Sequence, residues 1–384
     1  MGNKPKVTQK KIAVVVSADM TIKAFLLEHL KALASCFEIS VLVNTNDLSV
    51  LSRYQIPAHV LPMRIARPIQ PFADLLALFE ITRRFRRYRF DGIFSVTPKA
   101  GLLSMMAGAV TQVPVRIHIF TGQVWVTKRG PMRFLLKSID RLTAMLATDV
   151  LADSESQRQF LISEGVVSAE KSRVLASGSI SGVDLQRFRP NPAARLEIRR
   201  ELGIAPDQVL LLFLGRLNRD KGVLDLAAAF SRLAAQYPSA CLLFVGPDEG
   251  QLREEIRTLC VSVSGRLHFV DYTHQPENYM AAADVFCLPS YREGFGSVVI
   301  EAAAVGVSAV ASRIYGLTDA VIDGQTGLLH APGDIDELVE CLEEMVDSAD
   351  LRKRCSEAAQ ERVEKEFSAE RLTAALLAYV CERL

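Results

Sequence analysis

A chain of 384 residues that is 49% hydrophobic can bury two α/β cores of ordinary size, and none of its apolar runs approaches the ~18 residues that span a bilayer. Seven scattered cysteines without CxxC spacing argue against a disulfide framework and a zinc site, and the polar start MGNKPKVTQKK offers no secretory signal. The net charge of +1 hides opposite halves: residues 1–200 hold 29 Lys+Arg against 15 Asp+Glu and the remainder 16 against 29, which points the front half at an anionic partner.

Residues 11–17 (KIAVVVS) read as a buried parallel strand. Residues 21–34 read as a helix with Phe25, Leu26, His29, Leu30 and Leu33 on one face, and 38–44 as the second strand. This is a doubly wound α/β opening, but its first turn, SADMT, lacks GxGxxG and moves any phosphate site elsewhere. Residues 71–90 are amphipathic, with Phe72, Leu75, Leu76 and Phe79 on one face. Then Arg83, Arg84, Arg86, Arg87 and Arg89 interleave with Phe85, Tyr88 and Phe90. Two readings stand side by side: a segment lying on an anionic membrane, or a helix with apolar residues on the sheet and arginines in water. Nothing else resembles a nucleic-acid module, so no nucleic-acid partner is expected.

Residues 91–96 and 115–120 are further strands, with a helix over 101–110 between them. Thr121 and Gly122 open the loop TGQVWVTKRGP at a strand's carboxyl end, where such sheets bind ligands. His118 sits near that end, and on pattern alone is a structural histidine. Trp125 with Lys128, Arg129, Arg133 and Lys137 forms either a second basic and aromatic patch or a hinge-like loop with a solvated helix. Residues 149–152 form a strand, 154–165 a helix and 171–175 a strand, and the Pro-broken stretch 188–192 (FRPNP) marks the boundary.

A new unit starts with six apolar residues, 209–214, that run up to Gly215. Arg216, Asn218, Asp220, Lys221 and Gly222 follow, then a helix over 223–235. Strand 240–246, helix 250–259, strand 266–270 and helix 276–283 come next. The strand 283–288 is stopped by Pro289 and Ser290, and Gly294 and Gly296 bracket Phe295 in a loop that a ligand can approach closely. Ser297 is the expected N-cap of a helix over 298–305, with Gly306 its stop. Such a strand–loop–helix unit presents free N–H groups and a positive dipole end to an anion. Glu293 and Glu301 flank it; carboxylates repel phosphate, so their targets are hydroxyls of the same ligand, and the ligand reads as a nucleotide sugar. Arg216 and Lys221, just past a strand end in the same layer, would neutralise a pyrophosphate. The literal DxD at Asp334-Ile335-Asp336 is explained by Asp334 capping a helix, without metal. Residues 350–367 and 368–384 are helical.

Together, GRLNRDKG, VGP, PSYREGFGSVVIEAAAVG and DGQTGLL resemble the retaining family 4 glycosyltransferases of GT-B fold, whose signature is the spacing Glu293-x7-Glu301. The resemblance implies an α/β protein of two Rossmann-like doubly wound domains facing across a cleft. It makes 1–188 the acceptor domain, 189–366 the nucleotide-sugar domain, and 367–384 a helix that crosses back. It implies that Glu293 accepts from sugar hydroxyls, that Glu301 holds the ribose, and that Arg216 and Lys221 bind the pyrophosphate. Gly215, Gly294, Phe295, Gly296 and Ser297 complete the donor site, and His118 is matched to a catalytic histidine at the sugar-facing end of the first domain. Thr121, Gly122, Lys128, Arg129, Arg83, Arg84, Arg86 and Arg87 fall to the acceptor and membrane side. The implied activity moves a hexosyl or N-acetylhexosaminyl group, with retention and without metal or cofactor, from a UDP-sugar rather than a GDP-sugar. The implied acceptor is a polyprenyl-pyrophosphate-linked glycan of O-antigen, capsule or exopolysaccharide assembly, reached from the cytoplasmic face of the inner membrane by a peripheral protein. An epimerase or phosphorylase of the same fold, or a non-catalytic nucleotide-sugar-binding subunit, are the rivals. Ser181 where relatives have Asn, and SADMT where they have a glycine-rich loop, are the departures.

Overall fold

The computed structural model describes residues 9–65 and 69–384. The start of the chain, residues 1–8, on which the absence of a secretory signal was read, lies outside them. The chain forms two compact units, Met1–Ser181 with Glu370–Leu384, and Gly182–Ala369.

The first unit is built on a seven-stranded sheet: β1 (Lys11–Val16), β2 (Glu38–Val43), β3 (Ala58–Pro62), β4 (Gly92–Val96), β5 (Val115–Phe120), β6 (Asp149–Ala152) and β7 (Ser172–Val174). The order is β3-β2-β1-β4-β5-β6-β7, and every pairing is parallel. Parallel strands are covered on both faces, which is why β1, β2 and β4 are near-continuous apolar runs. One face carries the helices Pro71–Tyr88, Pro98–Val110 and Gly130–Leu146 around Ile81, Phe85, Leu103 and Trp125. The other carries Leu27–Cys36 and the C-terminal helix Ala369–Arg383, whose Leu376 and Val380 share a core with Leu30 and Leu33.

Two faces differ from the sequence reading. The helix read over 21–34 is π-helical at Ile22–Leu26, which turns Ile22 and Leu26 inward and leaves Phe25 exposed. The Pro71–Tyr88 helix packs through Ala77, Ile81 and Phe85, and the stripe Phe72, Leu75, Leu76 and Phe79 faces outward.

The second unit has a six-stranded parallel sheet: β8 (Val209–Leu214), β9 (Ala240–Val245), β10 (Leu267–Val270), β11 (Val285–Leu288), β12 (Ala309–Ser312) and β13 (Gly327–His330). Its order is β10-β9-β8-β11-β12-β13. The strand order reverses between β8 and β11, the place at the carboxyl end where such sheets bind ligands, and the loops after these two strands meet there. This unit begins at Gly182 rather than at the linker 188–192. The reason is backbone pairing: Val183 N–H donates to Phe367 O at 2.8 Å, and Ala369 N–H donates to Val183 O at 2.9 Å. Phe188 is already part of the second core.

Candidate functional site

The residues read as a donor site gather at the carboxyl ends of β8 and β11. After Leu214 the chain turns through Gly215, and Asn218 caps the short Arg219–Lys221 turn by accepting from Lys221 N–H at 3.2 Å. Gly222 follows in a left-handed conformation, φ 67°, and a Cβ there would lie 1.9 Å from Pro289 O. Only glycine lets the β8 loop touch the β11 loop this closely. The contact is fixed further by Tyr291 N–H donating to Asp220 O at 2.9 Å and by an Arg292–Asp220 ion pair at 3.3 Å.

This clamp brings Lys221 and Glu293 together. Lys221 Nζ is 2.5 Å from Glu293 Oε1, which also accepts from Ser290 Oγ at 2.8 Å. Both side chains are largely buried. Arg216 lies on the same loop, half-exposed, and its guanidinium donates to Glu249 Oε2 at 2.8 Å. Glu249 follows β9 at the same end of the sheet. The sequence reading missed it, although a charged residue in a third loop at that end was the available signal.

Phe295 is buried with its ring 5.2 Å from Phe367, which anchors the loop before the Ser297–Ala304 helix. The cap of that helix is Gly296, φ 83°, and not Ser297, which is already its first residue. The first N–H groups of a helix have no intrahelical partner and present donors to a ligand. Glu301 stands one turn in, half-buried, and burial pushes its carboxyl up to about 7; Arg187 opposes that rise and Glu277 adds to it. Arg187 is itself held by Glu277 at 2.9 Å. Lys221 and Glu293 are thus in contact, Arg216 shares the Lys221 loop, and Glu301 stands on the helix that follows Glu293.

The first unit places His118 in its interior. Side chains alternate along β5, so His118 faces the same way as Phe120, into the core under the Pro98–Val110 helix. Its ring lies over Gly101, bonds to Ser95 Oγ at 2.9 Å, and is fully buried. Burial holds it down at about 3, so the ring is neutral, packed in the interior between Ser95 and Gly101. Trp125 is also interior: its Nε1–H donates to Asp140 Oδ2 at 2.7 Å, and burial raises that carboxyl to about 6. Arg133 and Lys137 lie over the indole and pair with Glu164, which leaves Lys128 and Arg129 exposed on the preceding loop. Thr121 and Gly122 are half-buried at the end of β5, and Thr121 O accepts from Gln157 Nε2 at 2.8 Å. Arg83, Arg86 and Arg87 are exposed, and Arg84 pairs with Glu80.

Asp334 caps the Ile335–Asp347 helix by accepting from Glu337 N–H at 3.0 Å, and Asp336 pairs with Arg232. Among the described residues no group of three or more His, Cys, Asp or Glu is placed to hold a metal.

Residues 194–362 match the model for glycosyl transferases group 1, and residues 22–178 the model for a glycosyl transferase 4-like domain. The chain is 30% identical over 314 residues, 82% of each protein, to the capsular polysaccharide biosynthesis glycosyltransferase CapM of Staphylococcus aureus. It is 24% identical, over 74% of its length and 73% of the relative's, to an Escherichia coli UDP-Gal:alpha-D-GlcNAc-diphosphoundecaprenol alpha-1,3-galactosyltransferase. Its fold matches the crystal structure of Anabaena Alr3699/HepE in complex with UDP and glucose, with a TM-score of 0.81 and 20% identity over 98% of this chain and 100% of that one.

Proposed function

The chain belongs to the family 4 glycosyltransferases of GT-B fold, and on that premise we propose that it moves a sugar from a UDP-linked donor to a lipid-linked glycan in cell-surface polysaccharide assembly. The observation that carries this reading is the contact of Lys221 with Glu293 at the switch point of the second sheet, with Arg216 on the loop of the one and Glu301 on the helix that follows the other. The donor's sugar hydroxyls donate to Glu293, which keeps Lys221 beside it, and the ribose hydroxyls donate to Glu301. The bond between the anomeric carbon and the diphosphate oxygen breaks, and the acceptor oxygen bonds to that carbon. The acceptor's proton passes to the departing diphosphate. Retention of configuration is the family's chemistry. Arg216, Lys221 and the helix amides offset the charge that develops on the leaving group, so this reading needs no metal ion. A hexosyl donor and a diphosphate-linked polyprenyl acceptor are supported by the E. coli relative, and capsule assembly by the S. aureus one. No helix among the described residues is long and apolar enough to cross a membrane, and the reading has the protein work on such an acceptor peripherally, at the cytoplasmic face.

The test is thermal unfolding in a panel of nucleotide sugars, followed by transfer to a synthetic polyprenyl-diphosphate glycan. A UDP-sugar at about a hundred times its Kd adds ~2.7 kcal/mol of stability. Stabilisation by GDP-sugars alone overturns the donor assignment, and interconversion of the donor without an acceptor overturns the transferase reading in favour of an epimerase.

The raised carboxyl of Glu301 gives a second expectation. Ribose hydroxyls donate to the ionised form, which dominates only above pH about 7. The KM for the UDP-sugar should therefore fall as pH rises from about 6 to 8 and level off above, approaching tenfold per unit on the acid side. Glu301→Gln should raise KM and flatten that profile. A profile of wild-type shape in Glu301→Gln would remove Glu301 from the donor site.

A further inference from the structure

The outward stripe of the Pro71–Tyr88 helix plays no part in the chemistry above. Phe72, Leu75, Leu76 and Phe79 stand at the i, i+3, i+4, i+7 spacing of one helix face, and each is between 59% and 79% exposed. Because the helix buries Ala77, Ile81 and Phe85 on its other side, its first half is apolar on two faces. Ile69, just before the helix, is also exposed. The Gly130–Leu146 helix, which packs beside the same Pro98–Val110 helix, adds exposed Met132, Phe134 and Leu135. A contiguous exposed stripe of Phe and Leu marks an interaction surface, unlike single scattered apolar residues.

The same exposed side runs on, one and two turns past Phe79, into Arg83, Arg86 and Arg87. The helix's two acids are already engaged, Asp74 with Lys99 at 2.7 Å and Glu80 with Arg84 at 2.6 Å. Among the described residues Arg83 and Arg86 have no carboxylate partner, nor do Lys128 and Arg129 ahead of the second helix. Apolar residues leading into unpaired guanidinium groups match the depth profile of an anionic bilayer, with acyl chains below and phosphates above. A second copy fits poorly, because a two-fold contact centred on the stripe would lay Arg83, Arg86 and Arg87 against apolar side chains, with both acids of the helix already engaged.

We propose that this face, the stripe from Phe72 to Phe79 with Arg83, Arg86 and Arg87 and the exposed edge of the Gly130–Leu146 helix, docks the first unit on an anionic lipid bilayer. It rests on the reading of a lipid-linked acceptor and identifies the surface that reaches it. Phe72, Leu75, Leu76 and Phe79 enter the headgroup–acyl boundary, and the guanidinium groups pair with lipid phosphates.

Flotation of the full chain with vesicles tests it. Partition onto phosphatidylcholine mixed with phosphatidylglycerol should exceed partition onto phosphatidylcholine alone by about tenfold or more, and should weaken with salt. The triple substitution F72S/L75S/F79S should lower it by about tenfold or more, and R83Q/R86Q by about fivefold per arginine. All these positions are exposed, so an unchanged Tm shows that the variants still fold. Equal partition onto both vesicle types, or unchanged partition of the folded triple variant, overturns the proposal. A wild-type dimer that the triple variant breaks, with no vesicle binding by either, assigns the face to self-association and also overturns it. The triple variant should still transfer to a water-soluble diphosphate-linked acceptor. Failure of the wild type on every acceptor, with vesicle binding intact, would strike the functional reading alone.

Discussion

Lys221→Ala should lower kcat by roughly a hundredfold to a thousandfold, with a smaller change in donor KM. In the proposed reaction, negative charge grows on the diphosphate as the glycosidic bond breaks, so a cation held there is worth more in the transition state than in the ground state. The protein spends structure to hold that cation. Asn218 caps its turn, Gly222 allows the β8 loop to meet Pro289, and Glu293 orients the ammonium at 2.5 Å. Removing Lys221 has a second consequence: Glu293 keeps the Ser290 hydroxyl but no cation in contact among the described residues, and confronts the diphosphate with an unbalanced carboxylate. The double variant Lys221→Ala/Glu293→Gln should therefore lose less than the two single losses combined, since neighbours in one network do not add. A wild-type kcat in Lys221→Ala would place the leaving group somewhere else.

Asp284→Ala should destabilise the second unit by ~3–5 kcal/mol, read as a fall in the urea midpoint at unchanged m. Asp284 precedes β11 and accepts from Arg195 at 2.6 Å, Arg199 at 3.1 Å and Leu210 N–H at 2.7 Å. The Arg199 side chain is only 6% exposed and also donates to the carbonyls of Ala205, Gln208 and Ala282. Deleting the carboxylate leaves that guanidinium buried without a counter-charge, which costs far more than an exposed pair would. The site depends on this junction, because Asp284 ties the Pro192–Glu201 helix to the start of β8 and so sets where the Arg216 and Lys221 loop emerges. Asp284→Asn keeps acceptor and shape and should lose less. A loss under about 1 kcal/mol in Asp284→Ala would show that the junction relaxes around the missing group.

The local structure of the candidate site was largely legible because its parts are local. The run 209–214 is apolar and ends at glycine; 289–297 combines a strand stop, a close-approach loop and a helix start. Each of these features lies within about ten residues, so composition and period declare them. What escaped was set by residues far apart in the chain. Glu249 meets Arg216 only because β9 lies beside β8. His118 looked like a strand-end group, but the alternation of β5 and the space above Gly101 direct it inward. The patch around Trp125 held three features of different fate: a buried indole, two cations drawn to Glu164, and an exposed Lys128 and Arg129.

The sequence by itself determined the element types, the two-unit α/β plan and the family, since period, glycine position and motif spacing are properties of contiguous residues. Only the tertiary structure decided which side of the Pro71–Tyr88 helix is covered, where the second unit begins, and which charges are already paired. A helix with apolar residues on two sides is ambiguous until the sheet takes one of them, and here it took Ala77, Ile81 and Phe85. The unit boundary was likewise decided by a parallel bridge between Val183 and Ser368, which are 185 positions apart. No local pattern encodes a hydrogen bond across that separation, because its partners are chosen by the packing of everything between them.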